Sequence, residues 1–171
     1  MKIGIISDTH DQLDRIHDAI ELFRKEKVGA VIHCGDFVAP FAIRLFQKLN
    51  SPFYAVFGNN DGERQGLLKE VRIFGGELFI PPHLYTIEDK TILVYHDPPV
   101  WEKPGSLALR PDYILYGHTH HPDYKTQNGI PVINPGEACG WLTGRAYAGI
   151  LDLESGNYVS LSLIKKLKDL P

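Results

Sequence analysis

The sequence predicts a single sandwich-like α/β domain, on three observations. The first half alternates short apolar runs with amphipathic segments, and the order strand-helix-strand-helix-strand implies a parallel sheet with right-handed crossovers. The second half breaks into short apolar runs joined by turn residues, which read as hairpins. Five of the runs end in Asp, Asn or His.

The first run, residues 2–6, stops at Ser7-Asp8-Thr9-His10. Residues 12 to about 27 follow as a helix. Leu13, Ile16, Ile20 and Phe23 recur at three- and four-residue spacing on one face, and Asp11 suits the N-cap. A second strand, residues 31–34, leads into Gly35-Asp36. A second helix spans about 40–49, with Pro40 in its first turn and Phe41, Leu45 and Leu49 on its inner face. Asn50-Ser51-Pro52 breaks the chain. Residues 53–57 form an unbroken apolar run, as expected of a strand covered on both faces, and lead into Gly58-Asn59-Asn60-Asp61. A third helix covers about 63–74, weakened by Gly66 and ended by Gly75-Gly76.

Residues 85–87 and 91–95 then flank a turn at Glu88-Asp89-Lys90, with His96-Asp97 after the second strand. Residues 97–110, carrying Pro98, Pro99, Trp101 and Pro104, read as an irregular loop with one helical turn at 106–109. A strand at 113–116 leads into Gly117-His118-Thr119-His120. Residues 124–127 and 131–133 flank Asn128-Gly129, a strong type I′ hairpin signal. A last hairpin joins 145–153 to 158–165. In its second strand Val159, Leu161 and Leu163 alternate with Ser160 and Ser162, giving one wet face and an edge position.

A length of 171 residues suits one domain with a real core. The net charge of -3 gives no general affinity for nucleic acid or an anionic membrane, and Lys165, Lys166 and Lys168 read as a solvated face. Cys34 and Cys139 lack CxxC spacing and are too few for a disulfide framework. Cys34, inside an apolar run, reads as a buried inert thiol. The N-terminus does not resemble a signal peptide, and no apolar run approaches the roughly 20 residues of a membrane helix. A cytoplasmic, reducing location is expected.

In open α/β architectures, ligands collect outside the carboxyl ends of the strands. If the strands are neighbours, Asp8, His10, Asp36, Asn59, His96, His118 and His120 converge there. Two carboxylates, one amide oxygen and four imidazoles suit divalent Mn, Fe, Co, Ni or Zn without any thiolate. Seven donors exceed one ordinary centre and suit two ions sharing a carboxylate. In an extended segment, residues i and i+2 face the same way about 6–7 Å apart. Asp8-x-His10 and His118-x-His120 could each serve two ions about 3.5–4 Å apart. Two such ions, offset by Asp8, Asp36 and a bridging hydroxide, leave a site of about one positive charge, attractive to a phosphate ester. Taken singly, each element is a turn dipeptide or a structural strand-end histidine; the metal reading rests on their recurrence. His17 and His83 read as solvated. His33 reads either as a group behind Asp36 or as a packed histidine, and His121 as shaping a turn.

With these motifs in place, the sequence resembles the calcineurin-like metallophosphoesterases. Asp8-x-His10, Gly35-Asp36, Gly58-Asn59-x-Asp61, His96 and Gly117-His118-x-His120 occur in that family's order across most of the chain. The resemblance is closest to the small, capless archaeal and bacterial phosphodiesterase branch, which Asn134-Pro135-Gly136 also resembles. It implies a two-sheet β-sandwich flanked by helices and a phosphodiesterase using two divalent ions, first Mn or Ni, with Fe, Co, Zn or Mg as alternatives. It assigns one ion to Asp8, His10, Asp36 and His120 and the other to Asp36, Asn59, His96 and His118, with Asp61 fixing the turn that aims Asn59. Asn60 and Asp61 are the remaining catalytic candidates.

Two departures stand out. Most of the family has His at the position of Asn60, where it contacts the phosphate and protonates the leaving group. Asn60 donates a hydrogen bond but supplies no proton, so esters with good leaving groups are favoured. Asp97 stands where many relatives have Gly, either restraining His96 or repelling anionic substrates. The expected partner is a small phosphate ester, with no stable nucleic-acid or membrane partner. A homodimer using Trp101 or Trp141 stands beside core or substrate-loop packing of those rings. Phosphomonoesterase activity and a protein-binding scaffold, as in the retromer subunit of this fold, are the alternatives. The superfamily also includes nucleases, but this short acidic chain shows no DNA-binding extension.

Overall fold

The computed structural model describes residues 1–99 and 110–163. The expected helical turn at 106–109, Trp101, Pro104 and the terminal lysines lie outside the described residues. In chain order the elements begin β1 (Lys2–Ile6), α1 (Leu13–Lys25), β2 (Ala30–His33), α2 (Pro40–Ile43), a 3-10 turn (Arg44–Lys48), β3 (Phe53–Val56), α3 (Arg64–Ile73) and β4 (Glu77–Phe79). They continue β5 (His83–Ile87), β6 (Lys90–Val94), β7 (Tyr113–Leu115), β8 (Asp123–Gln127), β9 (Ile130–Asn134), β10 (Tyr147–Asp152) and β11 (Tyr158–Ser162).

Two sheets result, ordered β11-β10-β1-β2-β3-β4 and β5-β6-β7-β9-β8. β1 to β4 are parallel neighbours, as are β6, β7 and β9. The carboxyl ends of β1, β2, β3, β6 and β7 therefore supply the loops that carry the polar motifs. β11 is an edge strand with Val159 exposed.

Alternation along β1 explains the layering. Ile3 and Ile5 pack between the sheets with Ile32, Val56, Ile92, Val94, Leu115 and Ile133. Ile6 faces the other way, with Ile16, Ile20 and Phe23 of α1. Each such buried side chain contributes roughly 1.5–3 kcal/mol of transfer free energy. Gly4 is required here: a Cβ at that position would meet the Phe23 ring at 2.7 Å. Tyr85 ties the sheets together, its hydroxyl donating to the Ala55 carbonyl and accepting from the Ala55 N–H.

Four local expectations are corrected. Asp11 does not cap α1; its carboxylate accepts the Ala39 N–H, drawn across to the next loop. The second helix turns 3-10 after Ile43, and a three-residue period aligns Ile43, Phe46 and Leu49 inward while Phe41 is 54% exposed. β4 escapes sequence reading because only Leu78 of its three residues is buried. His83 is half-buried rather than fully solvated: it stacks on Phe79 at 3.9 Å and meets Tyr85 edge-on. The Asn128-Gly129 turn has φ of 53° and 75°, the conformation type I′ demands.

Candidate metal centre

The loops after β1 and β2 are joined by their backbones. Asp8 N–H donates to Gly35 O, His10 N–H to Asp36 O and Asp11 N–H to Phe37 O. His33 reinforces the join beneath. Its Nδ1 accepts the Gly35 N–H, so Nε2 carries the proton and donates to Thr9 Oγ1. Burial holds this imidazole neutral, well below its ordinary value. His33 is therefore both packed, stacked on Phe37 at 3.8 Å, and a tie behind Asp36.

Asp61 lies beneath the same loops. Its two oxygens accept four backbone N–H groups, those of Asp36, Phe37, Val38 and Gly58, at 2.7–3.0 Å. With its lone pairs committed, Asp61 is a positioning residue that shapes the Asp36 loop and the turn bearing Asn59. This corrects its place among the catalytic candidates.

The seven donor residues meet at one end of the sandwich. Asp36 is central: Oδ2 lies 3.6 Å from His10 Nε2 and 3.4 Å from His96 Nε2. On one side, Asp8 Oδ1 lies 3.9 Å from His10 Nε2 and 3.7 Å from His120 Nε2. On the other, Asn59 Oδ1 lies 2.8 Å from His96 Nε2 and 2.9 Å from His118 Nδ1. Asp8 is also held by the His118 N–H, donating to both oxygens at 3.1–3.2 Å.

The spacing argument for the paired donors does not hold as framed. β1 ends at Ile6, and Asp8 and His10 have φ of 52° and 37°; His118 and His120 have 64° and 62°. These residues curl through the left-handed region rather than extending. Curling turns both members of each pair toward the other residues of the cluster.

The second ring nitrogens explain how the imidazoles are aimed. His96 Nδ1 donates to the Cys34 carbonyl at 2.8 Å, which turns Nε2 toward Asn59 and Asp36. Asp97 does not restrain His96; its carboxylate lies 3.6 Å from His118 Nε2. His120 Nδ1 donates to Glu137 Oε2 at 2.8 Å, leaving Nε2 toward Asp8. Glu137, wholly buried, escaped the sequence reading. It also accepts from Leu142 N, Thr143 N, Thr143 Oγ1 and Cys139 Sγ. Its only sequence signal was position, directly after Asn134-Pro135-Gly136. Asn134 fixes the same loop, its amide donating to Gly117 O and Thr119 Oγ1.

The electrostatics favour added positive charge. Burial raises the Asp8 carboxyl above its ordinary range. Burial opposes ionisation of Asp36 too, but His96 and Asn60 together hold it well below that range. Burial works against protonation of His96, yet Asp36 and the Cys34 carbonyl lift it to about 9. Burial works against the Glu137 charge, and the hydrogen bonds from Thr143 and His120 bring it to about 2.

These donors fit divalent ions. His10 Nε2 is buried with no hydrogen-bond partner, aimed at two carboxylates. His96 Nε2, held protonated by Asp36, sets positive charge against the Asn59 oxygen and Asp36 Oδ2, the place a metal cation would take. Among the described residues, Asp8, His10 and Asp36 form one group of donor atoms within 4.8 Å of one another. A second group, unforeseen from sequence, joins Cys139 to His10 and His120. Asn60 is turned toward the cluster: its backbone N–H donates to Asp36 Oδ1 and its side-chain amide to Asp36 Oδ2, both at 2.8 Å.

The chain is similar to known proteins over most of its length. Phosphodiesterase MJ0936 of Methanocaldococcus jannaschii is 43% identical over 166 residues, covering 95% of this chain and 99% of that protein. A probable metallophosphoesterase of Methanothermobacter thermautotrophicus is 31% identical, over 80% of this chain and 76% of its own length. A solved structure described as a novel archaeal phosphodiesterase superposes with a TM-score of 0.85 at 40% identity, covering 95% of this chain and 99% of that one. Zinc-complexed Vps29 of Entamoeba histolytica shares the fold alone, with a TM-score of 0.66 at 17% identity, over 96% of this chain and all of that one. The model of the calcineurin-like phosphoesterase superfamily domain matches residues 1–156, and the chain belongs to that superfamily.

Proposed function

We propose that this protein is a phosphodiesterase that uses two divalent ions, Mn or Ni first among them. The observation that carries the reading is the pair of donor groups joined at Asp36 Oδ2, within 3.6 Å of His10 on one side and 3.4 Å of His96 on the other. Asp8, His10, Asp36 and His120 would hold one ion; Asp36, Asn59, His96 and His118 would hold the second. Such a pair supplies Lewis acidity, acidifying water and neutralising charge on the ester oxygens. The residues supply the rest. Glu137 and the Cys34 carbonyl keep the His120 and His96 lone pairs turned inward. Asp61 fixes the Asp36 loop. Asn60 offers no exchangeable proton for a leaving alkoxide, so activated diesters are the favoured substrates. The identity shared with an archaeal phosphodiesterase supports the diester over the monoester. All seven donor positions are filled, which favours an enzyme over a scaffold. Both cysteines are buried and free, in keeping with work in the reducing cytoplasm. No helix among the described residues is long and apolar enough to cross a membrane.

The test is a panel of phosphomonoesters, diesters and cyclic nucleotides with Mn, Ni and Mg. Metal-dependent hydrolysis of an activated diester is expected, and Asp36→Ala should abolish it. Full activity in that variant sinks the mechanism.

A further inference from the structure

The segment from Glu137 to Arg145 is tied to the loops that bear Asp8 and His120, yet sets two large apolar side chains in solvent. Its backbone is fastened to the donor loops: Glu137 N–H donates to His120 O, Ala138 N–H to Ser7 O and Cys139 N–H to Asp8 O. Cys139 Sγ lies within 4.8 Å of ring nitrogens of His10 and His120. The far side of the turn is drawn back by the carboxylate that orients His120, since Glu137 accepts Leu142 N–H at 3.1 Å and Thr143 N–H at 2.6 Å. Trp141 and Leu142 occupy the tip between these anchors. They are 66% and 75% exposed. A mostly exposed indole on a backbone fastened to the donor loops is free for stacking rather than committed to the core.

We propose that Trp141, with Leu142 beside it, is a substrate platform that stacks a planar aromatic group, a nucleobase or an aryl ring, of the phosphate ester held at the donor cluster. This deepens the phosphodiesterase reading and rests on it for the position of the phosphate. The occupant follows from continuity with the cluster: Trp141 is two residues from Cys139, which borders His10 and His120. A ligand anchored there by its phosphorus group projects its organic substituent over the rim. The platform makes selectivity depend on the ester's organic part and leaves the reacting oxygens to the donor cluster.

The experiment measures equilibrium binding of phenylphosphonate and methylphosphonate to the Mn-loaded full-length protein by calorimetry. Wild type should prefer the phenyl compound, and Trp141→Ala should lower that preference about tenfold. Trp141→Phe should keep most of it, and Leu142→Ser should lower it by a smaller factor. Equal weakening of both phosphonates in Trp141→Ala, an unchanged preference, or no binding of either compound overturns the platform. Sedimentation of the same variants tests the rival role: loss of a dimer on Trp141→Ala, with the preference intact, assigns the indole to a subunit interface. Binding is read without turnover, so the two readings fail separately. An intact preference with no hydrolysis of any ester sinks the hydrolase and keeps the platform.

Discussion

The two halves of the donor cluster are held in place by different means. The Asp36 loop is cradled: Asp61 gathers four backbone N–H groups, and the β1 and β2 loops are stitched by a ladder of main-chain bonds. His96 and His120 are each aimed by a single acceptor on the far ring nitrogen, the Cys34 carbonyl for one and Glu137 for the other. A cradle fixes a path of backbone, whereas a single acceptor fixes one ring. Damage to the cradle should therefore appear first in folding, and damage to a ring's acceptor first in metal affinity.

Asp61→Asn tests the first half and should have the largest effect. An amide offers one oxygen to four N–H groups and adds two donors of its own. A stability loss of roughly 3 kcal/mol or more is expected in urea unfolding, with activity falling alongside. Glu137→Gln tests the second half. Metal affinity should fall about 10–100-fold by titration; stability should fall too, by about 1–3 kcal/mol, because Leu142 N–H and Thr143 N–H also rely on this carboxylate. If Glu137→Gln unfolds the protein as readily as Asp61→Asn, the distinction between the halves fails.

Asn60→His sharpens the comparison from within the cradled half. Asn60 touches Asp36 through both its backbone and its amide. A ring there restores an exchangeable proton, so turnover of diesters with poor leaving groups should rise several-fold, read as a shallower dependence of kcat on leaving-group pKa. An unchanged dependence argues that leaving-group departure is not limiting. The smallest effect is expected outside both halves, at Arg44 and Glu70. The Arg44 guanidinium donates to both Glu70 oxygens and holds that carboxyl below its ordinary value. A depressed carboxyl stabilises the fold above its unfolded pKa of about 4.3 and loses that contribution as pH falls below it. Arg44→Gln should lower Tm slightly near neutrality, and the gap from wild type should close in acid.

The same contrast explains what was legible in the sequence. Asp8, His10, Asp36, Asn59, Asp61, His96, His118 and His120 lie within short local motifs at strand ends, so reading the chain locally singles out the residues that the fold brings together. Glu137 lies 17 residues beyond His120 and reaches it only because the chain returns through β8 and β9. Cys34 acts through its carbonyl, which every residue has, and leaves no side-chain signature. The second helix departs from its reading where period, not polarity, decides: α2 passes into a 3-10 turn after Ile43, with Phe41 outward. Of the two readings of Asp97, the one that ties it to His96 rests on adjacency in sequence, whereas its carboxylate lies beside His118.

Asp8, His10, Asp36, His118 and His120 all have φ between 37° and 64°. For residues other than glycine this region is costly, about 1–3 kcal/mol each where the surroundings impose it. That cost is offset by the main-chain bonds and the Asp61 carboxylate that hold these loops. Part of the folding free energy of the sandwich is thus drawn on to turn these five side chains toward one another.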